Sequence, residues 1–385
     1  MIKVAIFTTA RSEMAFLSPL IKKMNKEAGI LPLLFVGGTH LKKEYGNTIS
    51  EIKKLKIKIT ENFDYHFSGS SKKNISNSLS KAHKKIGEIF QKFSFDFVCV
   101  IGDRFEKLAE VSNAILYNKP IIHIFGGERT EGVIDEQVRH MITKASHLHF
   151  TMSEEYKKNV IQMGEQKFRV HNSGSLSIDS IKSLKKITRK KLFKKLKLNY
   201  KKPVVILTYH PVTLEKKIPT LKQIKNIFKA IENYDIQFVI TAPGHEHKRE
   251  EINHFIKKKS EKSNKYIYIK SLGFENLFNL LPYCKFVIGN SSSGCIEVPY
   301  FKIPTINIGD RQKGRIFHES LINCGYNTKE IKKSINKALS PNFVKKTKKV
   351  KYKFGNGHAS NKIVKIIKKI KLNEKFMKKK LIFDQ

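Results

Sequence analysis

The stretch Phe97-Val98-Cys99-Val100-Ile101-Gly102-Asp103-Arg104 decides the fold. Apolar residues run without alternation and stop at a glycine followed by an acid and a base. A short unbroken run reads as a strand covered on both faces, which is the habit of parallel sheets. Downstream, residues 106–117 carry helical spacing and lead to another apolar run, Ile121-Ile122-His123-Ile124. Upstream, residues 4–8 and 31–36 are apolar runs, and residues 12–26 and 75–93 read as helices. Apolar runs alternating with amphipathic stretches predict βαβ units and an α/β class.

The alternation restarts after a lysine-rich stretch at 182–202. Strands are predicted at 204–207, 238–241, 286–288 and 305–308, with a helix at 221–234. The chain has 385 residues, and at roughly 150 residues per domain this fits two doubly wound domains. We expect domains at 1–175 and 176–360 and a basic tail at 361–385. In the tail, Ile363, Ile366, Ile367 and Ile370 predict an amphipathic packing helix.

Lys+Arg number 75 against 33 Asp+Glu, a formal charge of +42. The excess is mostly lysine spread over surface-type helices, so an anionic small substrate is expected rather than nucleic acid. No run approaches the ~18–20 apolar residues of a membrane helix. The first residues, Met1-Ile2-Lys3-Val4-Ala5-Ile6-Phe7, read as a strand rather than a leader, which predicts a cytoplasmic protein with no membrane partner. Cys99, Cys284, Cys295 and Cys324 are scattered and predict buried thiols rather than a disulfide framework or zinc site. His147-Leu148-His149 and His245-Glu246-His247 lack a completing ligand set at metal-site spacing, so no metal is expected.

Ligands of doubly wound sheets bind beyond the carboxyl ends of strands. Seven such ends carry small or charged residues: Thr9-Ala10-Arg11, Gly37-Gly38-Thr39-His40, Gly102-Asp103-Arg104, Gly126-Gly127-Glu128, His210-Pro211, Asn290-Ser291-Ser292-Ser293-Gly294 and Gly309-Asp310-Arg311-Gln312. The Ser/Gly turn at 290–294 suits a diphosphate, since it offers N–H groups and hydroxyls. No GxxxxGK[ST] or early GxGxxG occurs, which disfavours a P-loop enzyme and a nicotinamide enzyme. Asp103 suits base duty and Arg104 a phosphate. Asp135 and Arg139 share a predicted helix face after a Gly-rich turn.

With those motifs together, the chain resembles the UDP-N-acetylglucosamine 2-epimerase family, in its hydrolysing branch. The resemblance rests on Thr9-Ala10-Arg11-Ser12-Glu13, on His40 and Tyr45-Gly46-Asn47-Thr48, and on Gly102-Asp103-Arg104. It continues through Gly126-Gly127-Glu128, Ile134-Asp135, Arg139-His140 and Thr208-Tyr209-His210-Pro211-Val212-Thr213. It ends with Asn290 through Gly294, Glu297, Asn307 through Arg315, and Phe354-Gly355-Asn356-Gly357. It implies two Rossmann-like domains facing across a cleft, GT-B-like, with a C-terminal helix crossing back to the first domain. It also implies conversion of UDP-N-acetylglucosamine and water to N-acetylmannosamine and UDP through a 2-acetamidoglycal, with no cofactor. A homo-oligomer, dimer or tetramer, is expected.

By the same resemblance Asp103, Glu128, Asp135, Arg139 and His210 are the catalytic set. Arg11, Arg104, His210, Ser291, Ser292, Ser293, Glu297, Arg311, Gln312 and Arg315 hold the nucleotide, with Glu297 on the ribose, and His40 meets the substrate. Two positions depart from the family pattern. Phe125 stands where many relatives have a catalytic Glu, with Glu128 the nearest substitute. The turn Ala242-Pro243-Gly244-His245-Glu246 replaces an Asn/Asp-containing turn. The alternatives are a GDP-N,N′-diacetylbacillosamine 2-epimerase and a GT-B glycosyltransferase.

Overall fold

The computed structural model describes the chain except residues 44–47, 66–70, 213, 216, 244–248 and 384–385. Tyr45-Gly46-Asn47, Thr213 and Gly244-His245-Glu246-His247 therefore lie outside the described residues. The chain divides into two compact units. The first comprises Met1–Glu128, Asp135–Ser183 and Phe354–Gln385. The second comprises Arg129–Ile134 and Leu184–Lys353.

The strands of the first unit are β1 (Ile2–Thr8), β2 (Ile30–Gly37), β3 (Glu61–Phe63), β4 (Phe97–Ile101), β5 (Ile121–Ile124), β6 (Leu148–Thr151) and β7 (Val170–Asn172). They form a parallel sheet ordered β3-β2-β1-β4-β5-β6-β7. In the second unit β8 (Val204–Thr208), β9 (Gln237–Thr241), β10 (Tyr266–Ile269), β11 (Cys284–Gly289), β12 (Thr305–Ile308) and β13 (Leu321–Cys324) follow. Their order is β10-β9-β8-β11-β12-β13, again parallel. Both orders are doubly wound, as the alternation predicts. The sequence reading omits β3, β7, β10 and β13, the edge strands of the two sheets, which are short and only partly buried. Among the described residues no helix is long and apolar enough to cross a membrane.

The helix Arg11–Asn25 contains Pro19. Proline lacks the N–H that would bond the carbonyl of Ala15. Ser180, in the helix Leu176–Ser183, donates its hydroxyl to that carbonyl instead. One residue earlier, Asp179 caps another helix, Ala359–Ile367. Its carboxylate accepts from the N–H groups of Ala359 (3.1 Å) and Ser360 (2.9 Å) and from the Ser360 hydroxyl (2.5 Å). This C-terminal helix thus packs within the first unit. Its buried stripe is Ile363, Val364 and Ile367; Ile366 is partly exposed and Ile370 lies past the helix end.

Beyond that helix the chain continues along the same unit. Arg169, fully buried, donates to the carbonyls of Lys375 (3.1 Å) and Phe376 (2.9 Å) and lies 5.0 Å from the Phe376 ring centroid. Phe376 meets Phe97 and His147 edge-on or tilted. Lys379 pairs with the buried Glu165 at 2.8 Å. His149 meets the same carboxylate at 3.1 Å, so the two histidines of the 147–149 stretch serve packing.

Phe376→Ala should destabilise the first unit by about 3–5 kcal/mol, read from urea unfolding. A second expectation concerns pH. Burial lowers the pKa of His40, His147 and His318 to about 4 and of His123 to about 3, against 6.5 for a free imidazole. Unfolding therefore takes up protons below pH 6.5, and their contribution to stability is lost as pH falls from 6.5 towards 4. Glu110, raised by burial to about 8, acts in the opposite sense, losing stability as pH rises. His149, His171, Glu13 and Glu165, all lowered, act in the same sense as the four histidines, so the urea midpoint should fall as pH drops from 6.5 to 4.

Candidate active site

Strand order reverses between β1 and β4 in the first sheet and between β8 and β11 in the second. Connections leave such a point in opposite directions, which opens a crevice beyond the carboxyl ends of the strands. The predicted residues of each unit gather at these two points.

In the first unit, β1 ends at Thr8 and runs into the helix Arg11–Asn25. Glu13 folds back onto this turn. Its carboxylate accepts from the Thr8 hydroxyl (2.9 Å) and from the N–H of Thr9 (2.8 Å). Burial alone would raise the Glu13 pKa, but Lys107 and Arg104 outweigh it and hold the group below its ordinary value. Lys107 is itself fully buried. It donates to the Phe7 carbonyl (3.0 Å) and pairs with Glu110 (2.9 Å) and Glu13 (3.3 Å). Burial opposes its charge, and Glu110 and Glu13 more than restore it.

His40 follows β2 on a short 3-10 turn. Its Nε2 lies 3.0 Å from the Thr8 hydroxyl and its Nδ1 2.8 Å from the Thr48 hydroxyl. Thr8 already donates to Glu13, so Nε2 carries the proton and Nδ1 accepts from Thr48. Arg11 pairs with Glu51 at 2.6 Å.

β4 delivers Asp103 and Arg104. Arg139, on the helix Asp135–Ala145, is fully buried and reaches Asp103 with two nitrogens, Nε at 3.0 Å. It also donates to the Glu128 carbonyl (2.9 Å) and pairs with Glu136 (2.8 Å). Burial disfavours its charge, but Asp103, Glu136 and Asp135 together raise its pKa. Arg104 pairs with Glu106 at 2.7 Å. Adjacency in sequence predicts Arg104 as the cation beside Asp103; in the fold Arg139 holds Asp103 while Arg104 engages Glu106. Glu128 is buried, and Asp135 opens its helix with partial exposure. His123 donates from Nε2 to the Gly102 carbonyl (3.0 Å), and its Nδ1 lies 3.1 Å from the Thr143 hydroxyl.

In the second unit, Gly289 ends β11 with φ 137°, and a Cβ there would sit 1.9 Å from the Thr208 carbonyl oxygen. Only glycine allows that approach. Asn290, next in line, is buried and clamps His210: its Oδ1 accepts from the His210 N–H (2.7 Å) and its Nδ2 donates to the His210 carbonyl (2.8 Å). Arg311 (3.2 Å) and Gln312 (2.9 Å) both donate to the Asn290 carbonyl. Asn290 thus joins the β8, β11 and β12 ends. Burial raises the pKa of the Cys295 thiol first of all, with Glu297 raising it further and Arg311 lowering it. Ser291, Ser292 and Arg315 flank this set, each partly exposed.

Two buried oxygens, Ser293 Oγ and Gln312 Oε1, have no hydrogen-bond partner among the described residues. Such atoms are rare in folded proteins and mark places where a ligand or water supplies the missing bond. The described residues hold no cluster of His, Cys, Asp and Glu able to take a metal. Sequence reasoning gives no role to Lys107 or Glu106, and reads Asn290 as part of the diphosphate turn rather than as the clamp on His210. Only Asn290 carried a signal, as the first polar residue after a predicted strand.

The sequence matches the UDP-N-acetylglucosamine 2-epimerase family over residues 22–368. It is 36% identical to the GDP/UDP-N,N′-diacetylbacillosamine 2-epimerase (hydrolyzing) of Campylobacter jejuni, covering 84% of this chain and 85% of that one. It is 34% identical to the polysialic acid biosynthesis protein P7 of Escherichia coli, covering 89% and 87%. The fold superposes on the UDP-GlcNAc 2-epimerase of Neisseria meningitidis, solved bound to UDP-GlcNAc, with a TM-score of 0.81, 19% identity, and 95% and 99% coverage. The match spans nearly the whole chain and both sheets, and this protein belongs to the UDP-N-acetylglucosamine 2-epimerase family.

Proposed function

We propose that this protein is a hydrolysing nucleotide-sugar 2-epimerase, acting on UDP-N-acetylglucosamine or a close 2-acetamido relative. The observation that carries the reading is the Asp103–Arg139 couple beside Glu128, at the carboxyl ends of β4 and β5. Carbon acids need a positioned base, and a buried guanidinium fixes a carboxylate in one orientation.

In the first step a carboxylate takes the proton from sugar carbon 2. The released electron pair forms the C1=C2 bond, the C1–O bond breaks, and the nucleoside diphosphate leaves. In the second, water adds its oxygen to C1 while a proton returns to C2 from the opposite face. The product is a free sugar inverted at carbon 2. Asp103, Glu128 and Asp135 are the acid–base groups, oriented by Arg139. His210, with Arg11, Arg104, Ser291, Ser292, Ser293, Arg311, Gln312 and Arg315, receives the diphosphate charge, Glu297 the ribose, and His40 the sugar. The unpartnered Ser293 and Gln312 oxygens support a polar ligand at the second crevice. The homo-oligomeric state and cytoplasmic location rest on the same family reading.

A second reading is favoured by the name of the Campylobacter relative: the donor is a nucleoside diphosphate of N,N′-diacetylbacillosamine. Incubation with UDP-N-acetylglucosamine and with UDP- and GDP-diacetylbacillosamine, without any acceptor, should release a free 2-epimeric sugar from at least one. Release only when an acceptor sugar is added would identify a glycosyltransferase instead.

Two variants test the residue roles. Arg311→Ala should weaken nucleoside diphosphate binding about tenfold to a hundredfold in calorimetry, the loss of one charge-assisted contact. Glu128→Gln should cut turnover by roughly a hundredfold while nucleoside diphosphate affinity stays near that of the parent protein.

A further inference from the structure

At the amino ends of β9 and β10 the second unit holds a cavity of about 510 Å³. It opens between the helices Thr220–Ile231 and Arg249–Glu261, where each ends and the chain turns back into the sheet. The crevice described above lies at the carboxyl ends of the strands, so this cavity sits at the opposite pole and shares no residue with it. Small-ligand sites run to roughly 300–1,000 Å³, and the cavity falls in that range.

Five lysines line it, Lys225, Lys229, Lys259, Lys262 and Lys265, against a single acid, Glu232. Lys265 is committed to the fold. It donates to the carbonyls of Ile231 (2.9 Å) and Glu232 (2.7 Å), closing a helix end that favours a cation. The other four have no carboxylate partner among the described residues, and the lining holds no arginine. Helix dipoles favour Lys229 and Lys259, each in the last turn of its helix, but not Lys225 in mid-helix. Like charges gathered around a concave surface raise the potential inside it.

The rest of the wall is aromatic. Phe228, buried, packs edge-on against Phe255 (5.2 Å between centroids, 90° between planes) and against Tyr266 (5.0 Å, 61°). Phe255 is only half-buried, and Lys259 Nζ stands 5.9 Å from its ring centroid. A planar group can rest against Phe255 below a cationic rim.

This lining selects among anions. Lysine offers a compact charge suited to phosphate oxygens, whereas planar carboxylates are best held by the arginine fork, which the lining lacks. One phosphate would leave most of the four charges uncompensated, so several are favoured. We propose that the cavity is a binding site for a compact polyphosphate, either the free inorganic chain or that of a nucleotide whose base meets Phe255. The site does not depend on the epimerase reading.

A chain of charge +42 attracts anions broadly, so the test must be local. The sequence contains no tryptophan, and Phe255→Trp therefore places a single indole reporter in the cavity. Inorganic tripolyphosphate and ATP should each change its fluorescence and saturate. Tighter binding of ATP would assign the site to a nucleotide, and equal binding to the inorganic chain. Lys229→Glu combined with Lys259→Glu should weaken both ligands about tenfold or more, the loss of charge-assisted contacts. Lys191→Glu combined with Lys194→Glu, at exposed positions on the helix Arg189–Lys195, changes the net charge equally and should leave both affinities unchanged. Calorimetry with tripolyphosphate on the two charge-reversed proteins and their parent repeats the comparison without the indole. Equal weakening by the two lysine pairs would overturn the proposal, since the attraction would then be diffuse. Absence of saturable binding in both assays would overturn it as well. Turnover enters neither readout, so failure of the epimerase reading would leave this result standing.

Discussion

An ammonium group with no exposed surface lies under the crevice between β1 and β4. Taking Lys107 out of water costs several kcal/mol, and removing one partner of such a buried set typically costs about 3–5 kcal/mol. Glu13, Glu110 and the Phe7 carbonyl surround it. Glu13 in turn fixes Thr8 and Thr9, and Thr8 fixes His40. The floor of the candidate site is therefore a chain of charge-assisted bonds that begins in the dry interior. Arg139 repeats the arrangement one strand over, where a buried guanidinium sets the direction of Asp103. In both places the sheet supplies position and a buried cation supplies orientation.

In the second unit the anchor is a neutral amide rather than a buried cation. A single amide side chain, that of Asn290, bonds both backbone groups of His210, and the backbone carbonyl of Asn290 receives Arg311 and Gln312. A neutral amide carries a smaller desolvation penalty than a buried ion.

Much of this was legible in the sequence. The central strands announce themselves as unbroken apolar runs, and their ends carry the glycines, serines and charges that the crevices need. Edge strands such as β3 and β13 stay hidden because one side of each is wet. The pairing of Arg139 with Asp103 was not legible, since the partners are 36 residues apart and only the sheet brings them together. Lys107 was harder still: in a chain with 75 lysines and arginines it looks like any other solvated side chain. The tail's spacing predicts a helix, and one forms, but its buried stripe runs through Ile363, Val364 and Ile367 and the helix ends before Ile370. Neither the Asp179 cap nor the Ser180 bond that replaces the one lost at Pro19 has any local signature.

That last pair of contacts bears on the order in which the protein can be made. The second unit is, apart from Arg129–Ile134, one continuous stretch. The first unit is assembled from chain on both sides of that stretch and is finished by the residues after Phe354. As synthesis runs from the N-terminus, β1 to β7 emerge early, yet Asp179 has no helix to cap and Arg169 no carbonyls to hold until the residues after Phe354 have been made. The nascent first unit must wait through the translation of the whole second one with its C-terminal strap missing. Closing so distant a contact is slow, and a chain in that interval exposes the apolar surface that Phe376 later covers, a state prone to aggregation.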